Sequence, residues 1–239
     1  MYITTEAIVF QLYPYKDKSA IVKLYCGQLG LVSCWVSSLH SKKSKTKAAN
    51  LQPFSIIKAE IGYKEGNSLA KLKEISLSLP TGNIHRDIEK SSIALFLSEL
   101  LMHCIKEASP GQPLFSFVKE AICLLNNTEE KCSNFHLLFL IRLCENLGLL
   151  PLGSYTLQTP YFNLEESIYQ GKKTFHPNYL EPIEAEWLSV LTKLPIEQFH
   201  VPHIPVAVRK NLLKRMLHYY VLHTGMTPLK SHQVLEEIF

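Results

Sequence analysis

The sequence predicts an α+β chain: a small closed barrel of five strands over residues 1–80, then an all-α helical bundle over 81–239 interrupted by a small irregular insert. Three observations lead there. Apolar residues alternate with period two through the first third, and turn residues cut that pattern into five runs. After Pro80-Thr81-Gly82-Asn83 the apolar period becomes that of a helix.

The first strand is expected over Glu6–Leu12, ending at the turn-forming Pro14. The second, Lys18–Cys26, puts Ala20, Val22, Leu24 and Cys26 on one face and Ile21, Lys23 and Tyr25 on the other. Gly27-Gln28-Leu29-Gly30 turns the chain into a third strand, Leu31–Val36. A long fourth strand is expected over Leu51–Tyr63, broken early by Pro53, and Lys64-Glu65-Gly66-Asn67 turns it into a fifth, Leu69–Leu77. Five strands without a long helix among them fit an OB-fold barrel better than a β-sandwich, which wants about seven.

Helical spacing runs over Asp87–Lys106. Pro113, at a first helical position, opens Leu114–Leu125, and Asn134 is expected to cap Phe135–Leu147, which stops at Gly148. That helix is apolar on nearly every side and should lie at the centre of the bundle. Residues 149–182 lack a helical period and read as an insert that could hold a hairpin. Helices are then expected over Glu184–Leu194, Val206–Thr224 (stopped by Gly225) and Lys230–Phe239.

Composition narrows the function classes. With 46% hydrophobic and 19% charged residues the chain should fold rather than stay disordered. No apolar run reaches the roughly 18 residues of a membrane span, and Met1–Thr5 leads straight into a strand pattern rather than a signal peptide. The six cysteines form no C-x-x-C pair, so six reduced, mostly buried thiols in a cytoplasmic protein are expected. Only two aspartates occur, Asp17 and Asp87, in different segments, which argues against two-metal phosphoryl chemistry. No Walker loop, nucleophile elbow or dinucleotide fingerprint is present, and neither His200/His203 nor Cys132/His136 has partners at metal-ligand spacing. No enzyme activity and no cofactor are expected.

Charge is unevenly placed. Residues 1–80 carry a net +6, residues 81–170 a net −4 and residues 171–239 a net +2. A basic first segment points to a polyanionic partner, with a lysine-rich soluble surface as the alternative. Ser38–Lys47, between the third and fourth strands, carries Lys42, Lys43, Lys45 and Lys47 among hydroxyls, a composition suited to phosphate contact. A merely solvated loop is the competing reading. Lys23 and the nearby aromatics Tyr13, Tyr15, Tyr25 and Trp35 could complete a surface on which bases stack, although each ring taken singly fits packing as well. Arg209, Lys210, Lys214 and Arg215 form a second basic set, either another phosphate track, a pocket for an acidic peptide, or an exposed helix face.

The order of these elements resembles that of RecO recombination mediators. The resemblance rests on Glu6-Ala7-Ile8-Val9, Tyr15 and Ile21–Tyr25, Gly30-Leu31, the basic loop followed by Leu51-Gln52-Pro53-Phe54, and Leu69–Glu74. It ends with Leu217-His218-Tyr219-Tyr220, Leu229-Lys230-Ser231 and Val234-Leu235. It implies a protein without covalent chemistry that binds single- and double-stranded DNA. Such a protein anneals strands coated by single-strand-binding protein and loads RecA together with RecR, with RecF a candidate further partner and no membrane involved. The family also implies a site on the helical domain for the acidic, apolar tail of single-strand-binding protein, for which Arg142 and Arg215 are candidates, with Arg209 as an alternative. One departure stands out. Many members carry a four-cysteine zinc site after the central helix, whereas 149–182 contains no cysteine, so no structural zinc is expected and Phe162-Asn163-Leu164 with Gly171 should keep the insert's fold. An RNA-binding OB protein or a protein-interaction adaptor remains the alternative on the residues alone.

Overall fold

The computed structural model describes residues 2–15, 19–37, 48–64, 68–105 and 111–239. Among these, five strands close into a barrel in the order β1-β2-β3-β5-β4: β1 Tyr2–Tyr15, β2 Ser19–Cys26, β3 Gly30–Val36, β4 Ile56–Gly62 and β5 Ala70–Leu79. Antiparallel pairing of β1 with both β2 and β4 shuts the barrel, and β3 meets β5 in parallel at Cys34↔Ala70 and Trp35↔Lys71. The alternation expected of β2 is present, with Ala20, Val22, Leu24 and Cys26 all in the barrel core.

Two strands differ from expectation. β1 is much longer, because its first half, to Ile8, pairs β4 and its second half, from Ile8, pairs β2; a bulge between Val9 and Gln11 follows just after the handover. β4 is shorter. Residues 48–50 form a 3-10 turn and the chain bends through Leu51–Phe54, where Phe54 takes a positive φ of 66°. The bend plugs into the β1 bulge: Phe54 N donates to Val9 O (2.8 Å) and Val9 N to Ser55 O (2.9 Å). Pro53 lacks the N–H a strand would need there, so the strand begins only after it.

The chain folds as two compact units, Met1–Thr128 and Glu129–Phe239. The secondary structure changes after residue 80, but packing keeps the next three helices with the barrel: α1 Gly82–Arg86, α2 Ile88–Cys104 and α3 Gln112–Asn127. The reason is β1. Ile8 ahead of the bulge and Phe10 within it point outward, apolar and fully buried; α2 packs on β1, and Phe10, Tyr25 and Phe115 of α3 form a run of ring contacts. Asp87 caps α2 by accepting from Lys90 N (3.0 Å), and the Lys90 ammonium donates to Thr128 O (2.6 Å) at the far end of α3. Lys119 of α3 reaches Glu6 of β1 at 2.7 Å.

In the second unit α4, Phe135–Asn146, is the buried centre, with every residue from Phe135 to Ile141 inaccessible. Tyr220 of α6 (Val206–Thr224) donates to Leu140 O at 2.6 Å within this core. α4 ends as expected, with Gly148 at φ +71° and Leu149 N returning to Cys144 O. Asn134 occupies the N-cap position as expected, but its side chain makes no capping hydrogen bond. Its amide points across the unit to Phe199 O (3.3 Å) and Pro202 O (2.7 Å), holding the proline-rich link that precedes α6. The insert contains β6 Tyr161–Asn163, β7 Ile168–Gln170 and β8 Tyr179–Leu180, paired as a small sheet in the order β7-β6-β8, and leads into α5, Pro182–Leu191. The chain closes on α7, His232–Ile238. Among the described residues no helix is long and apolar enough to cross a membrane.

Candidate nucleic-acid interface

Past the bulge, β1 turns a different set of side chains outward. Leu12 pairs with the inward Val22, so Gln11, Tyr13 and Tyr15 face away from the core. Cross-strand partners then define a row over the barrel surface, Tyr13↔Ile21↔Trp35↔Lys71, with Gln11↔Lys23↔Ser33 beside it. Tyr13 and Tyr15 are 39% and 49% exposed, Lys71 is exposed, and Lys23 and Trp35 are half-buried. The Tyr13 hydroxyl donates to Gln11 Oε1 at 2.8 Å, and partial burial with Glu99 nearby raises its pKa, so it stays a neutral ring with one polar tip. Rings flanked by cations on a sheet surface offer base faces a stacking partner and phosphates a counter-charge.

The row continues beyond Lys71 through Gly62 to Tyr2 on the opposite end of β1. Gly62 makes this possible, since a Cβ there would meet the Tyr2 ring at 3.1 Å. Lys73 sits 4.9 Å above that ring and pairs with Glu60 at 2.7 Å, so its charge is already matched within the barrel.

Sequence reasoning brought Lys23, Trp35 and Tyr15 to this face. It missed Lys71, whose outward position follows from the alternation in β5 but whose neighbour Trp35 follows only from the parallel β3–β5 pairing. Tyr25 is a correction. It is fully buried, stacks on Phe10 at 5.6 Å and donates to Gly111 O (3.2 Å), and burial pushes its hydroxyl up to about 12. It falls on the helix-covered side of the sheet because its partner is Ile8, ahead of the bulge. Lys42, Lys43, Lys45 and Lys47 lie outside the described residues, in the segment that leaves β3 shortly after Trp35.

The second unit uses most of its singled-out cations internally. Arg209 is buried and donates to Phe239 O at 2.7 Å, and Lys210 donates to Glu236 O, so both hold the C-terminal helix. That engagement takes them out of an open phosphate track. Arg142 spans the end of α5, donating to Leu191 O (3.3 Å) and Thr192 O (2.6 Å) while pairing with Glu145 (3.1 Å). It is a helix C-terminal clamp rather than the free rim of a peptide groove. Arg215 leans on Pro177 O at 3.4 Å, and Lys214 beside it is exposed.

Comparison with known families decides what this pair of units is. The model of the recombination protein O N-terminal domain matches residues 1–80, and that of its C-terminal domain matches residues 85–233.

The chain belongs to the RecO family. It is 34% identical over 236 residues to the DNA repair protein RecO of Phocaeicola vulgatus and 35% identical over 237 residues to that of Bacteroides fragilis, each alignment covering 98% of both chains. The RecO of Flavobacterium psychrophilum is 34% identical over the full length of both. The family's work is DNA repair and recombination, and the barrel followed by helices is the architecture in which this chain carries it.

The residues of 149–182 do not fit a structural zinc. They contain no cysteine, and among the described residues no three His, Cys, Asp or Glu side chains converge as a ligand set. Hydrogen bonds occupy the insert instead. Asn163 Oδ1 accepts from Glu165 N (2.9 Å) and Glu166 N (3.2 Å), and Gly171 lies where a Cβ would be 2.7 Å from Gln158 O. Helix α6 supplies the rest: His218 contacts Asn178 (2.8 Å), Tyr219 donates to Leu149 O (2.6 Å) and meets Ser167 (2.7 Å), and His223 meets Leu164 O (2.7 Å).

Proposed function

We propose that this chain is a recombination mediator without covalent chemistry. Residues 1–80 hold single- and double-stranded DNA, and the helices of 81–239 recruit protein partners. In this reading it anneals complementary strands coated by single-strand-binding protein, and with RecR, and RecF as a further candidate, it loads RecA. The observation that carries the reading is the outward row Tyr13–Ile21–Trp35–Lys71 with Lys23 alongside, on a barrel whose next segment contributes Lys42, Lys43, Lys45 and Lys47. Rings give sequence-tolerant stacking and lysines give phosphate contact, which is what a protein handling DNA of any sequence requires. RecO membership of both halves supports DNA as the nucleic acid.

The test is annealing of complementary strands pre-coated with the cognate single-strand-binding protein. Acceleration that fades with salt, and a shallower salt dependence of DNA binding when the four loop lysines become alanine, are the expected results. At about 0.7 per phosphate contact on single strands, losing four contacts removes roughly 3 from the log–log slope. An unchanged slope overturns the loop's role, and RNA outcompeting DNA overturns the choice of nucleic acid.

A further inference from the structure

Within the insert, the turn Gly171–Pro177 between strands Ile168–Gln170 and Tyr179–Leu180 carries Phe175 fully exposed to solvent. A phenylalanine displayed in this way costs apolar hydration, and its neighbours give it nothing apolar to join: Lys172 and Lys173 are exposed and Thr174 and His176 are polar and half-buried. The turn is nevertheless held. Gln170 donates to Lys172 O (2.7 Å), Thr174 Oγ1 to His176 O (2.7 Å) and Asn178 N to His176 Nδ1 (3.2 Å).

The charge around the turn is unbalanced. Lys173 pairs with Glu181 at 2.7 Å and lies 5.5 Å from the rings of Tyr161 and Tyr179. Glu165 accepts from the Asn178 side-chain amide (2.7 Å). Arg215 reaches the turn through Pro177 O, and Lys172 and Lys214 remain exposed. A lone aromatic face among surplus cations complements a chain that is anionic along its backbone and carries flat rings. A protein partner would instead want a contiguous apolar patch, which the polar neighbours of Phe175 deny it.

We propose that this turn is a second contact for single-stranded nucleic acid, in which Phe175 stacks on a base and Lys172, Lys214 and Arg215 meet neighbouring phosphates. The proposal rests on the DNA-binding reading above and deepens it by giving the second unit its own strand contact.

The experiment is titration of a labelled oligo-dT with the full chain over a range of salt, comparing wild type, Phe175→Ala, Phe175→Trp and Lys172→Ala/Lys214→Ala. Phe175→Ala should weaken binding by at least about fivefold without altering the salt slope, and Phe175→Trp should restore it. The double lysine variant should lower the slope by about 1.4. Wild-type binding with an unaffected Phe175→Ala overturns this site alone. Failure of the wild type itself to bind oligo-dT overturns the DNA-binding reading and this site with it.

Discussion

The Arg142 guanidinium donates to the Thr192 carbonyl at 2.6 Å and to Leu191 O at 3.3 Å, closing the C-terminal end of α5 from the side of α4. Two helices far apart in sequence thus share one cation. Its side chain is mostly buried, so the hydrogen bonds are little screened. Arg142→Ala should cost about 1.5–3 kcal/mol in urea unfolding, while the salt slope of DNA binding stays at the wild-type value. A large loss of affinity at unchanged stability would instead make Arg142 a ligand contact.

Trp35 and Tyr25 lie on neighbouring strands and should behave oppositely. Trp35→Ala removes a ring from the outward row and should weaken single-strand binding by about 1–3 kcal/mol. Tyr25→Phe deletes only a buried hydroxyl donating to Gly111 O, so it should cost about 1 kcal/mol of stability and leave affinity untouched. Parallel binding titrations and denaturation curves of the two variants separate the faces of the barrel.

Gly171 tests the hydrogen-bonded substitute for a metal-held insert. An alanine there would push a methyl against the backbone carbonyl of Gln158, which cannot rotate away as a side chain could. Gly171→Ala should destabilise by about 1–3 kcal/mol, and added zinc should not rescue it. Thermal unfolding with and without zinc reads both outcomes.

His136 sets an acid limit. Burial, with the Arg209 charge as a second cause, holds its imidazole at a pKa of about 3 against an ordinary 6.5. Between those values the unfolded chain binds a proton that the folded chain refuses, so stability falls as pH drops through that window. His136→Gln, neutral throughout, should lose that part of the pH dependence. Urea midpoints measured from pH 7 to pH 5 check it: parallel curves for the two proteins would place the acid sensitivity elsewhere.

Much of this molecule is readable along the chain. The alternation in β2 and the apolar surface of α4 report directly which side chains are buried, because strand and helix periods convert spacing into facing. Helix stops at Gly148 and Gly225 were equally plain, since each takes a positive φ that suits glycine. What escaped depends on distant partners. Tyr25 alternates as an outward residue and is outward, but nothing local says that α3 covers it. Asn134 has the right chemistry and position for a cap, yet carbonyls of Phe199 and Pro202 claim its amide. Arg142, Arg209 and Lys210 read as free cations until the helix ends they clamp are in place.

Following partners from Tyr13 around the barrel brings one back to β1 at Tyr2, so a single strand serves as both margins of the closed sheet. Its two halves answer to different neighbours and meet at Ile8, just ahead of the Val9–Gln11 bulge. Were Phe10 paired in regular alternation instead of absorbed by the bulge, every side chain beyond it would invert, driving Tyr13 and Tyr15 inward and Leu12 out. The bulge is the ratchet tooth that keeps the aromatic face outside.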